Sequence, residues 1–266
     1  MSDNTSKVTY WNYLRTDELL SLQNPATNAH DEMQFIIVHQ AFELWFKLAI
    51  YELKFVIENL ELGNIVKATH FLNRVSIILT ASNKGFDTLI TMTQEGYLEF
   101  RDSLRPASGF QSSQFRIIEL LAGIETSQEE EKFYWEKAVQ AGETMTSFME
   151  KYHTELKTLA KEYQHKNVNS LLKNIIFKST NLEGKDGVKL VNSNTEKYNT
   201  LVSLFNSALG FEQAVMEFRI AHHKVTVFTV GNSAGTSSSH SDNFPSCASY
   251  LSGVIKDRSI IFDVLH

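Results

Sequence analysis

The sequence predicts an all-α fold, a single large domain of long antiparallel helices covering residues 1–266. Three observations carry that expectation. Proline and glycine are scarce, 3 and 12 in 266 residues, whereas turn-rich β-sandwiches and βαβ arrays use more of both. Apolar residues recur at helical spacing over long stretches. The chain is 42% hydrophobic, with no fixed-period repeat or composition shift to divide it, and is long enough to bury a sizeable core.

The elements follow in order. Thr16-Asp17-Glu18 ahead of Leu19-Leu20 reads as an N-cap with acidic first-turn residues, and Pro25 and Asn28 mark a loop. From Asp31 to about Leu62 one long helix is expected, with Phe35, His39, Phe42 and Phe46 on one face and Gly63 just past its C-terminus. A second long helix, about Val66 to Met92, carries Phe71, Val75, Ile78 and Leu79 at helical spacing. The amphipathic segment Gln94 to Leu104 ends before Pro106, and Ser108-Gly109 makes a tight turn. Ser112 to Leu121 reads as helix until Gly123 breaks it, and Gln128 to Tyr163 as another long helix. Residues 179–194 are polar and turn-prone and are expected to be a flexible loop. A last long helix is expected from Thr195 to Val227, then a Ser/Gly-rich loop over residues 231–245, then a closing helix from Cys247 to Leu265.

Composition excludes several functions. A net charge of −6 argues against a protein that coats nucleic acid, which needs clustered Lys and Arg. One cysteine, Cys247, rules out an internal disulfide framework, a Cys-based zinc site and a C-x-x-C-H haem attachment. The N-terminus has no basic region followed by an apolar one, so no signal peptide is read there. The most apolar stretch, Phe35 to Leu60, is interrupted by His39, Gln40, Glu43, Lys47, Glu52 and Lys54, unlike a membrane span. A cytoplasmic protein with no membrane or nucleic-acid partner is expected.

Nine histidines show no H-E-x-x-H or other compact zinc spacing. His39 lies on the phenylalanine-rich face of the first long helix, and His222-His223 follow Phe218 near the end of the last. Spacing alone reads His39 as a core histidine with one hydrogen bond, and His222-His223 as favourable charge near a helix C-terminus. A haem pocket needs one imidazole for iron among aromatic and aliphatic walls; 18 phenylalanines could build one, or simply a core. Tyr97 and Arg101 are an i, i+4 pair, and an arginine on an apolar face can bind a carboxylate through two parallel bonds or form an ordinary salt bridge with Glu99 or Asp102. Gly235-Thr236-Ser237-Ser238-Ser239 could be an anion-binding nest or merely a flexible loop.

His30 to Lys47, HDEMQFIIVHQAFELWFK, closely resembles the tryptophan 2,3-dioxygenases, haem enzymes that open the indole ring of L-tryptophan with O2. Tyr10 to Pro25 and Tyr97 to Arg116 carry the resemblance further, as does the order His222, Gly231, Gly235-Thr236. The resemblance implies that the helices surround a pocket for haem b, one per subunit, with O2 as co-substrate and N-formyl-L-kynurenine as product. It implies His222 as the proximal iron ligand and His39 as the distal histidine facing the indole N–H. Arg101 would clamp the substrate carboxylate, and Thr236 would contact its ammonium and carboxylate end. Phe35, Tyr97, Leu104 and Ser108 would line the pocket. Tyr10, Tyr13 and Leu14 would enter the pocket of a neighbouring subunit in a homotetramer. The loop reads Gly235-Thr236-Ser237-Ser238-Ser239-His240-Ser241 where the family usually has G-T-G-G-S-S-G. That departure motivates an alternative, a related haem oxygenase or hydroxylase acting on a substituted indole or another aromatic amino acid.

Overall fold

In the computed structural model the described residues are 8–104, 112–124, 154–230, 251, 252, 255 and 260–266. Every regular element among them is helical. Thr9 opens α1 (Tyr10–Leu14) with a capping box: its hydroxyl accepts from the Asn12 N–H at 3.3 Å, and the Asn12 side chain accepts from the Thr9 N–H at 2.7 Å. Arg15, left-handed at φ 52, separates α1 from α2 (Thr16–Leu19) and occupies the N-cap position. Thr16 is therefore not the cap that the sequence suggests; it is the first helical residue, and it is buried.

The loop after α2 is held by a buried carboxylate. Glu32 accepts from the Ala26 N–H at 2.7 Å, the Thr27 N–H at 2.8 Å and the Thr27 hydroxyl at 2.5 Å, so the polar groups of the turn are satisfied where α3 (His30–Glu61) begins. Leu62, Gly63 at φ 75 and Asn64 reverse the chain into α4 (Ile65–Leu89). So short a connection makes α3 and α4 antiparallel neighbours, and the Arg74–Glu52 bridge of 3.1 Å and the approach of Gly85 to Phe42 keep that register.

Thr93 caps α5 (Gln94–Arg101), which runs into a 3-10 turn, Asp102–Leu104. Ser112 caps α6 (Ser113–Ala122), and Gly123 at φ 105 ends it as the sequence indicates. Of the expected helix from Gln128 to Tyr163, only residues 154–163 are described, and they are helical. Residues 179–194 are not the expected loop. They form the end of α7 (Val168–Thr180) and all of α8 (Gly184–Ser193). Polar composition concealed a narrow apolar stripe: Val188 and Val191 are buried, and Gly187 packs against Ile176 of α7. The last long helix, α9, spans Asn199–Val230. At the expected closing helix, residues 251, 252 and 255 are helical, but the end is a 3-10 turn, Asp263–Leu265. Buried Glu212 of α9 holds this end by accepting the Ile261 and Phe262 N–H groups at 2.5 and 2.9 Å and meeting His266 at 2.6 Å.

Three long helices carry the core, with α4 packed against both α3 and α9. Ser76 lies nearest Gly210, and Phe86 ten residues later meets Phe218 and His222. Hence α4 and α9 run in the same direction, both antiparallel to α3. The phenylalanine-rich end, where Phe42, Phe46, Phe86, Phe115 and Phe218 interlock, is where the site lies.

Gly85 sets the spacing there: a Cβ on it would sit 2.6 Å from Phe42 Cε1 and 3.0 Å from Val38 Cγ1, and Phe42 is wedged among Phe46, Phe86 and Phe218. Gly85→Ala is therefore expected to destabilise. Overpacking costs about 1–3 kcal/mol, against a gain of up to about 1 kcal/mol in helix propensity. At Gly210 the nearest atom would be 3.9 Å away, so Gly210→Ala keeps the propensity gain and should stabilise. Denaturant unfolding of the two variants, with opposite signs, checks the close approach.

Candidate functional site

The site is built from the mutually facing ends of α3, α4, α5, α6 and α9. On α3 the i, i+4 spacing puts Phe35 and His39 one above the other, with ring centroids 4.0 Å apart. His39 Nδ1 lies 2.7 Å from the Phe35 carbonyl oxygen. A carbonyl only accepts, so Nδ1 carries the proton and Nε2 keeps its lone pair. Burial lowers the His39 pKa, opposed by that backbone bond and by the charge of Glu43 one turn on. Glu43 is tied to α6 by Gln114, whose side-chain amide donates to the Glu43 carbonyl at 2.8 Å and to its carboxylate at 2.7 Å. The one hydrogen bond that spacing leads one to expect for His39 is made by Nδ1; among the described residues none is made by Nε2.

His222 comes from the other side, on α9. Its ring stacks on Phe86 at 5.8 Å and 18° and lies 6.5 Å from Phe218. Burial pushes its pKa down to about 4, helped by the charges of His39, Arg116 and His223. The two imidazoles are thus close enough for a charge on one to oppose a charge on the other. Both residues retain intermediate accessibility despite this desolvation. Among the described residues no hydrogen bond engages the His222 ring. His223, the next residue, differs: its Nε2 is 2.8 Å from the Ser252 hydroxyl.

The other expected residues divide into three groups. Tyr97 is buried and joins the cluster, 6.3 Å from Phe35 and 5.5 Å from Phe100. Arg101 lies one turn beyond Tyr97 in the last turn of α5, and Leu104 is half-buried against the core in the following 3-10 turn. Tyr10, Tyr13 and Leu14 are not brought to this cluster: they stand on α1, 68%, 75% and 45% exposed. Ser108 and Thr236 lie outside the described residues, as do the Ser108-Gly109 turn and the 231–245 loop. Sequence reasoning did not find Phe86, the ring on which His222 stacks, nor Gly85, because neither stands out from ordinary helix pattern. Among the described residues no group of three or more His, Cys, Asp and Glu converges on a point, and no helix is long and apolar enough to cross a membrane.

Fold and site together define an all-helical protein that turns two neutral imidazoles, from separate helices, into an aromatic-walled interior. The model of the family described as tryptophan 2,3-dioxygenase matches residues 2–168. The tryptophan 2,3-dioxygenase of Bacillus thuringiensis subsp. konkukian (strain 97-27) is 33% identical over 264 residues, covering 97% of this chain and 91% of the relative. That of Bacillus anthracis is 34% identical over 261 residues with the same coverage. That of Ruegeria sp. (strain TM1040) reaches 47% over 116 residues, 44% of this chain and 42% of the relative. The chain belongs to the tryptophan 2,3-dioxygenase family and is a dioxygenase.

The depressed imidazole pKa values give the polypeptide a signed pH dependence. An unfolded histidine titrates near 6.5, so the unfolded chain takes up these protons before the folded one. The contribution of His222 is complete above about pH 6.5 and is lost as the pH falls toward 4, by up to about 3 kcal/mol. Unfolding without cofactor, measured from pH 7 to 4, should show a steeper loss for the parent than for His222→Leu. Parallel curves would show that the ring is not desolvated.

Proposed function

We propose that this chain binds haem through His222 and uses O2 to open the indole ring of L-tryptophan, giving N-formyl-L-kynurenine, the entry step of tryptophan breakdown by the kynurenine route. The observation that carries the reading is the His222 imidazole: desolvated, neutral, stacked on Phe86, without a hydrogen bond among the described residues, and near enough to His39 for their charges to interact. These residues fit a haem. Iron takes the lone pair of a neutral imidazole, and Phe86 fixes the plane of the His222 ring by stacking. When bound, haem supplies the iron chemistry that activates O2, leaving orientation and electrostatics to the protein.

The protein groups then have separate tasks. His39 Nε2, held as an acceptor because Nδ1–H is committed to the Phe35 carbonyl, receives the indole N–H. Phe35 offers its face to the ring. Arg101, carried by the same short helix as Tyr97, supplies a planar fork for the substrate carboxylate. Tyr97 and Leu104 form wall, and Ser108 and Thr236 complete the pocket as the family resemblance implies. Hydrogen-bonding both ends of the amino acid selects against analogues that lack either group.

A homotetramer is part of the same reading, with Tyr10, Tyr13 and Leu14 reaching a neighbouring subunit's pocket. Its support is exposure: Trp11 joins these residues on the surface, and Ile37, Leu44, Trp45 and Tyr51 expose the outer face of α3. Apolar surface of that extent marks an interaction site.

The reading is tested by reducing the haem-loaded protein, adding L-tryptophan and O2, and weighing the product. A gain of two oxygen atoms is expected; a gain of one would move the chain to a hydroxylase. His222→Ala should lose the haem spectrum while His223→Ala retains it, and equal retention would sink the ligand assignment. His39→Ala should keep haem and lose about 10²–10⁴-fold in turnover, as for a positioned proton-handling group. Arg101→Lys should lower kcat/KM for tryptophan about ten- to hundredfold, mainly through KM, because lysine keeps the charge without the two-bond geometry. Haem content should not change, and an indole without a carboxylate should be indifferent to the substitution.

A further inference from the structure

An ionic cluster that none of these roles uses lies against the helix that carries His222. Glu119 of α6 is 2% exposed, and its carboxylate receives two guanidiniums: Arg116 Nη1 donates to Oε2 at 2.6 Å and Arg219 Nη2 to Oε1 at 2.6 Å. The Arg219 side chain is itself buried, and that of Arg116 is 14% exposed. Arg219 and Glu119 are 100 residues apart in the chain, so their bond fastens α9 to α6. Arg219 precedes His222 by three positions and therefore lies on the same side of α9, one turn away. Phe115, next to Arg116, stacks on Phe218 at 5.0 Å, so the two helices meet along the turn that presents His222.

We infer that Arg116, Glu119 and Arg219 position the His222 imidazole and set the electrostatic potential at the iron it would bind. The inference rests on the haem reading above. The bonds to Glu119 fix the rotation of α9 on α6, and with it the direction in which His222 points. The three groups carry two positive charges and one negative. Buried charges are screened little by salt, and a change of charge beside the iron shifts the balance between the ferrous state and the ferric state, which has one more positive charge. Burying such a cluster is a poor route to stability alone, because well-packed apolar residues do as well or better.

The test compares the iron midpoint potential and the thermal stability of the haem-loaded full chain in the parent, Glu119→Gln, Arg219→Gln and the double variant. Glu119→Gln removes a negative charge and should shift the potential upward. Arg219→Gln removes one and should shift it downward. The double variant has the parent's charge and should return close to the parent's potential, although all three variants melt at lower temperature. Arg116→Gln removes charge by a second route and should move with Arg219→Gln, which keeps the test intact should Glu119→Gln not fold. A merely structural cluster predicts shifts of one sign that track stability, or none, and either result overturns the inference while leaving His222-dependent haem binding in place. A parent that binds no haem overturns both readings together.

Discussion

The close approach of α4 to α3 at Gly85 is the constraint on which the rest depends. Phe42 occupies the space a side chain at 85 would need, and from there it reaches His39, Phe46, Phe86 and Phe218. Phe86, the next residue along α4, becomes the surface on which His222 stacks. Moving α4 outward would separate the ring under His222 from the rings beside His39. The contact of Phe42 with Phe86 thus depends on a hydrogen atom in place of a methyl group at position 85.

Desolvation does the chemical part of the work. An exposed histidine is divided between charged and neutral forms near neutral pH; burial removes that division for both rings. Beyond this, the two differ by their bonds. His39 has one nitrogen occupied by its own helix, which fixes its tautomer and leaves an acceptor. The His222 ring is oriented by stacking, with no bond among the described residues to decide its tautomer. The same low-polarity environment thus yields an oriented acceptor on α3 and a neutral, stacked imidazole on α9.

Much of this was legible in the sequence, for physical reasons that differ by region. The α3 face that aligns Phe35, His39, Phe42 and Phe46 follows from period alone, and Ser112 and Gly123 bracket α6 because capping chemistry is local. Composition misled at 179–194, where two buried valines and a glycine suffice to dock a short helix. At the other end of the chain, a carboxylate on α9 replaces helix continuation as the partner of backbone N–H groups, which periodicity does not register. For the site, spacing treats His222 and His223 alike. The family resemblance singles out His222, and the structure separates the pair through Ser252. The Glu119–Arg219 bond joins residues 100 positions apart and leaves no local signal.

The parallel course of α4 and α9 has a consequence for biosynthesis. The α3–α4 hairpin consists of contacts local in sequence and can form early, whereas the pairing of α4 with α9 must close a loop of more than a hundred residues (order of magnitude), the kind of contact that slows folding. On the ribosome, Phe42, Phe46 and Phe86 are synthesised long before Phe218 and His222. For that interval these rings lack the partner that Phe218 provides in the folded chain, and apolar surface exposed during folding favours aggregation. The arrival of α9 ends that exposure and delivers His222 in the same motion, so completion of the core and assembly of the site are one folding event.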